Sequence, residues 1–339
     1  MKFALYGISA LEYWRIAGSP GIPMPKPSRA AGIPDNVSEP IALISLEKLP
    51  GIQYLSKPVH IGISDFRSAY HRDKLAFRSI SGRAADRQLY SINQDIGISS
   101  PETCLVQSAS CLNLIELIGL THEFCGYYSP SQILENGLLK RNPLTDACKL
   151  ERASEQLAGT HGIKAFNRAL SYLKGPSRSP METALALCIS LPLNLGGYAF
   201  SDLVLNAKAP LDVFTRQSSR VAELEPDILF SAEGLCIEYD GRAFHEGTDA
   251  VKRDVRRINS LISSNYKVLT LTSSQLFDYR EMHKFALSVA HALGRRIRVS
   301  DKAAFDQKRY KLRRLVLSSD SVLKNQQLNQ TVLAYRKKL

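Results

Sequence analysis

No stretch of this 339-residue chain is apolar for long enough to cross a bilayer. The opening MKFALYGISALEYWRIAG has one early Lys and a short apolar patch. Glu12, Trp14 and Arg15 interrupt that patch, so it is not read as a signal peptide. Six cysteines (104, 111, 125, 148, 188 and 236) show no CxxC or other paired spacing. That argues against zinc and disulfides, and for buried thiols in a reducing, cytoplasmic setting. His122 and Cys125 stand three apart with no second pair, and read as a helix end and a core thiol. There is no internal repeat. Acidic residues are scarce only late in the chain. Residues 241–339 hold 21 Lys and Arg against 8 Asp and Glu, whereas residues 1–240 hold 23 against 24. The net charge of +12 therefore follows residue 240. Such a basic half suits a polyanionic partner, although a solvated basic surface would look the same.

What is present is a globular composition, 44% hydrophobic and 22% charged, in a chain long enough for two or three domains. Residues 19–40 are rich in Pro and Gly and predict an extended segment. Ile41–Ile44 and Val59–Ile63 read as strands. Residues 101–124 place Leu105, Leu112, Ile115 and Ile118 at helical spacing, with Ser99 or Ser100 as cap before Pro101. Residues 144–173 also read as helical, broken at 159–162. The spacing thus predicts an N-terminal α/β region over 1–100 and a helical region over 101–175.

Residues 174–180 (KGPSRSP) read as a linker. Ser179, Pro180 and Glu182 then supply a cap, a first-position proline and a first-turn acid for a helix reaching Leu191. A strand over 198–205 and a hairpin over 226–240 follow. Next come a helix over 252–264, a strand over 267–271 and a helix over 275–293 capped by Ser273 or Ser274. This order predicts an α/β fold, a mixed sheet flanked by helices. Residues 299–339 read as a basic helical tail.

The hairpin PDILFSAEGLCIEYD carries three carboxylates beside short apolar runs: Asp227, Glu238 and Asp240. A turn about 231–234 sets Phe230 opposite Leu235 and Asp227 opposite Glu238. Asp240 then lies one step along on the same face. Charges on a buried strand are costly unless compensated. An all-oxygen set of this kind suits Mg²⁺, with Mn²⁺ as an alternative. Asp240-Gly241 is also a common turn pair. A one-residue slip would break the arrangement.

Residues 178–280 resemble the PD-(D/E)XK nuclease superfamily, and within it the very-short-patch-repair endonuclease-like domains. The matching residues are Glu182 on the opening helix, Asp227 after Pro226, Glu238-Tyr239-Asp240-Gly241 and His245. Asp254-Val255-Arg256-Arg257 and the strand Val268–Leu271 complete the set. The resemblance implies a restriction-endonuclease-like domain over 178–298. Asp227, Glu238 and Asp240 would hold the metal, Glu182 would orient a ligand or water, and His245 would be base or phosphate contact. The superfamily's usual Lys, two residues after the Glu, is Asp240 here. Lys252, Arg256 or Lys267 could substitute, or His245 could act as the base. Such domains often follow an abortive-infection antitoxin-like region, which residues 101–173 resemble in placement. A toxin or regulatory partner is implied by the same likeness.

The expected function is metal-dependent endonucleolytic hydrolysis of nucleic acid, DNA in the first place. Lys252, Arg256, Arg257, Lys308, Arg309, Lys311, Arg313 and Arg314 are the expected backbone contacts. Against it stand a non-catalytic nucleic-acid-binding regulator or antitoxin on the same scaffold, and a purely structural role. No membrane partner is expected.

Overall fold

Among the described residues, short runs in the first 173 positions assemble a six-stranded mixed sheet. The computed structural model describes residues 1–28, 36–64, 73–79, 89–241 and 248–317. The chain divides into two units, the second spanning Lys174–Ser318.

In chain order the first unit comprises β1 (Phe3–Leu5), α1 (Gly7–Ile16), β2 (Lys26–Pro27), α2 (Glu39–Glu47), β3 (Val59–Ile63), β4 (Leu75–Ser79), β5 (Leu89–Ser91) and β6 (Ile96–Ser99). Helices α3 (Pro101–Ser108) and α4 (Leu114–Cys125) come next, then the pair β7 (Tyr128–Pro130) and β8 (Leu138–Lys140). Helices α5 (Ala147–Gln156) and α6 (Ile163–Leu170) end it. The strand order is β2-β5-β6-β1-β3-β4, with β6/β1 and β3/β4 parallel. Helix α3 packs on α1, so residues 101–173 are built onto the strands and residue 100 is not a structural boundary. The six cysteines are free thiols, four of them buried.

Two expected elements differ. Ile41–Ile44 lies in helix α2, not a strand. Pro40 fits the first helical turn, and a four-residue apolar run carries too little periodicity to separate strand from buried helix. The helix expected over 101–124 is two helices. Ser100 caps the first, and Asn113 breaks the run and caps the second through a capping box with Glu116. Asn113→Ala should cost about 1 kcal/mol and lower the melting temperature by a few degrees, readable by thermal unfolding.

The second unit opens with α7 (Pro180–Ser190), whose cap is Ser179 as the sequence indicates. Strands β9 (Val204–Leu205) and β10 (Ala209–Pro210) follow, then α8 (Val213–Ser219) and β11 (Glu223–Leu224). The hairpin strands are β12 (Ile228–Phe230) and β13 (Leu235–Asp240). Helix α9 (Thr248–Ser263), β14 (Lys267–Thr272), α10 (Ser273–Phe277), α11 (Tyr279–Ala292) and α12 (Lys302–Leu317) complete it. Of the basic tail expected over 299–339, residues 318–339 lie outside the described residues. The four-stranded sheet runs β14-β13-β12-β9. Its β13/β14 pair is parallel and joined through α9, and the other pairs are antiparallel. Leu261 of α9 packs against Leu229 and Cys236, so α9 covers the sheet face that also carries Asp227 and Glu238.

The strand expected over 198–205 shrinks to Val204–Leu205, because Ala199 has φ 61° and turns the chain. The helix expected over 275–293 is split at Asp278, which caps α11, and Thr272 rather than Ser273 or Ser274 caps α10. Residues 207–225 contribute a two-stranded pair, β10/β11, and α8. Among the described residues no helix is long and apolar enough to cross a membrane.

Candidate functional site

The hairpin register is Phe230 to Leu235, Leu229 to Cys236 and Ile228 to Ile237. One step further out, Asp227 meets Glu238. The Asp227 carboxylate takes over from the ladder there: its Oδ2 accepts the Tyr239 backbone N–H at 2.7 Å. Glu238 is only 8% exposed. Burial pushes the Asp227 carboxyl up to about 6, and the nearby Glu182 adds to it. Burial likewise raises Glu238 to about 7; Arg257 opposes the rise, while Asp227 and Asp254 add to it. Two desolvated carboxylates side by side demand positive charge.

Arg257 of α9 supplies part of it. Its Nη2 lies 3.2 Å from Glu238 Oε1 and donates to the Glu225 carbonyl. The approach to Glu238 lacks hydrogen-bond geometry, so Oε1 stays buried without a hydrogen-bond partner. Arg178 pairs with the Glu225 carboxylate. Glu225 thus receives one arginine on its side chain and another on its backbone, on the approach to Asp227.

Glu182 is buried in the first turn of α7, where its N–H donates to the Ser179 cap. Its Oε2 accepts from the Arg178 backbone N–H at 2.8 Å and from Asn206 Nδ2 at 3.0 Å.

The structure therefore brings together Asp227, Glu238, Glu182 and Arg257. Among the described residues no group of three or more His, Cys, Asp and Glu side chains is placed to hold a metal ion. The expected closed triad of Asp227, Glu238 and Asp240 is thus not assembled, although strand parity sets Asp240 on the Glu238 face of β13. Mg²⁺ is commonly held by one or two carboxylates, the rest of its shell being water and phosphate. The Asp227–Glu238 pair, with one buried oxygen that accepts no hydrogen bond, fits such an ion. His245 lies outside the described residues.

The basic residues separate into three kinds. Lys252 and Arg256 are exposed on α9, and Lys308, Lys311 and Arg314 are exposed on α12. Arg257 belongs to the carboxylate pair. Arg309 and Arg313, expected as phosphate contacts, are internal, at 6% and 7% exposure. Arg309 donates to the Tyr198 hydroxyl at 2.7 Å, the Tyr279 hydroxyl at 2.8 Å and Asp306 at 3.0 Å. Arg313 donates to the carbonyls of Leu276 and Phe277. Helix α12 packs on α7, and at 100° per residue its basic run must turn some side chains inward. Lys267, a candidate substitute for the missing Lys, donates to the Ala292 carbonyl at 2.8 Å. Sequence reasoning passed over Arg178, Asn206 and Glu225. Nothing in the local pattern marks them, because each acts through a partner remote in sequence.

Compared with known proteins, the chain matches no family model, no curated protein and no solved structure.

Proposed function

We propose that Lys174–Ser318 is a metal-dependent endonuclease domain of restriction-endonuclease-like type, acting on phosphodiesters, DNA in the first place. The observation that carries this is the Asp227–Glu238 pair. The two hairpin strands set a half-buried carboxylate, Asp227, beside a buried one, Glu238, both with raised proton affinity and one with an oxygen that accepts no hydrogen bond. A divalent cation, when bound, supplies charge neutralisation at the phosphodiester and activation of water.

The chain's own residues do the rest. Asp227 and Glu238 hold the ion. Glu182 sets an acidic wall beside Asp227. Arg257 and Arg178, both partly exposed, offer guanidinium groups to a phosphate entering over Glu225. Exposed Lys252 and Arg256 extend the cationic track along α9.

The test is cleavage of plasmid and linear DNA by the full chain in Mg²⁺, in Mn²⁺ and in EDTA, with calorimetric titration of Mn²⁺. Cutting and Mn²⁺ heat, both abolished by chelator, are expected. A second reading, a non-catalytic nucleic-acid-binding regulator, is favoured by one feature: Arg257 already lies 3.2 Å from Glu238 and partly neutralises it. Gel-shift binding indifferent to EDTA, with no cutting in either metal, would establish that reading instead.

A further inference from the structure

Asn206 follows β9 with φ 49°, a left-handed conformation that Asn tolerates better than most residues. That turn lets one residue engage three segments. Its backbone N–H donates to the Asp227 carbonyl at 3.1 Å. Its side-chain Nδ2 donates to the Pro176 carbonyl at 3.1 Å and to Glu182 Oε2 at 3.0 Å. Both contacts on the Nδ2 side are acceptors, so the amide can place only its NH₂ there. Its Oδ1 then faces the other way, buried and without a hydrogen-bond partner. An unsatisfied buried amide oxygen is costly, and retaining one is explained when the other half of the amide holds something the fold needs.

What it holds is Glu182. A carboxylate on α7 does not settle beside the carboxylate of Asp227 by attraction, since the two repel. Donors must fix it, and two are present: the Arg178 backbone N–H and the Asn206 amide. Only Asn206 also grips the residue that bears the second carboxylate. We infer that Asn206 is the positioning residue of the carboxylate cluster, setting Glu182 beside Asp227. The inference rests on the cation-site reading for its consequence, a cation affinity that depends on Asn206. The positioning itself is tested without any cation.

Asn206→Gly keeps the left-handed backbone and the N–H to Asp227 but removes the amide. Glu182→Gln keeps the shape of the partner and removes its charge. The full chain carrying each change, and both together, is unfolded thermally in EDTA. If the amide acts through Glu182, the effects are non-additive, and the double variant melts no lower than the lower single variant. Additive losses would overturn the assignment. In a second arm Mn²⁺ is titrated by calorimetry. Loss of a hydrogen bond that orients a site carboxylate typically costs 10–100-fold in metal affinity. Asn206→Gly is expected to weaken Mn²⁺ by about tenfold or more, with circular dichroism unchanged and no further loss on adding Glu182→Gln. Wild-type affinity in Asn206→Gly would also overturn it. Absence of Mn²⁺ heat from the wild type would sink the cation reading alone, and the melting comparison would still decide the role of Asn206.

Discussion

Under the endonuclease reading, Glu238→Gln and Asp227→Asn will each lower cleavage by at least about 10²-fold, the scale for removing one preorganised electrostatic group, and under either reading each will raise the melting temperature at pH 8. The two effects share a cause. Folding lifts Asp227 from 3.8 to about 6 and Glu238 from 4.5 to about 7. The folded chain therefore keeps protons that the unfolded chain has already released. The stability these groups contribute is complete below about pH 4 and is lost as pH rises through 6 and 7. At pH 8 both carboxylates are ionised in the folded state, at a cost. Removing one charge returns about 3 kcal/mol, a gain of about 10 °C for a unit of this size. At pH 4.5 the variants should melt no higher than the wild type. Saturating Mn²⁺ should raise the wild-type melting temperature at pH 8 and leave Glu238→Gln nearly unmoved. A variant that melts lower at pH 8 would show the carboxylates to be held by compensating charge rather than strained by burial.

Arg309→Met will unfold or severely destabilise the second unit, whereas replacing Lys308, Lys311 and Arg314 together by Ala will leave its melting temperature within a few degrees. The guanidinium of Arg309 lies 3.8 Å from the Tyr279 ring centroid and donates to two tyrosine hydroxyls and Asp306. Truncation removes a cation–π contact and the guanidinium donor to the Tyr198 and Tyr279 hydroxyls, while Tyr198 keeps its 3.1 Å contact with His283 Nδ1. The cost is about 3 kcal/mol, a fall of about 10 °C. Close packing surrounds this network: a Cβ on Gly196, at φ 92°, would lie 2.4 Å from the Lys308 carbonyl oxygen. Among the described residues the exposed trio has no such partners. Under the nucleic-acid reading its loss weakens DNA binding uniformly across sequences and flattens the log K against log salt slope by about 3. Gel shifts at several salt concentrations, run beside melting curves, separate the two sets. A melting temperature unchanged by Arg309→Met would return α12 to the class of solvated basic helices.

The sequence by itself determined what local spacing determines. It set the mixed α/β class, the Ser179 cap, the hairpin turn and the register that makes Asp227 and Glu238 neighbours. A period of two leaves a tight hairpin one arrangement that buries Ile228, Phe230, Leu235 and Ile237 together. It did not determine that Ile41–Ile44 is helical, since four apolar residues carry no usable period. Nor did it determine which basic side chains face inward. Tertiary structure alone decided that Arg257 leans on Glu238, that Asn206 ties Glu182 to Asp227, and that Arg309 reaches Tyr198 from 111 residues away. Long polar side chains are placed by whichever element packs opposite them. That element is fixed by burial of the whole core, not by neighbours along the chain.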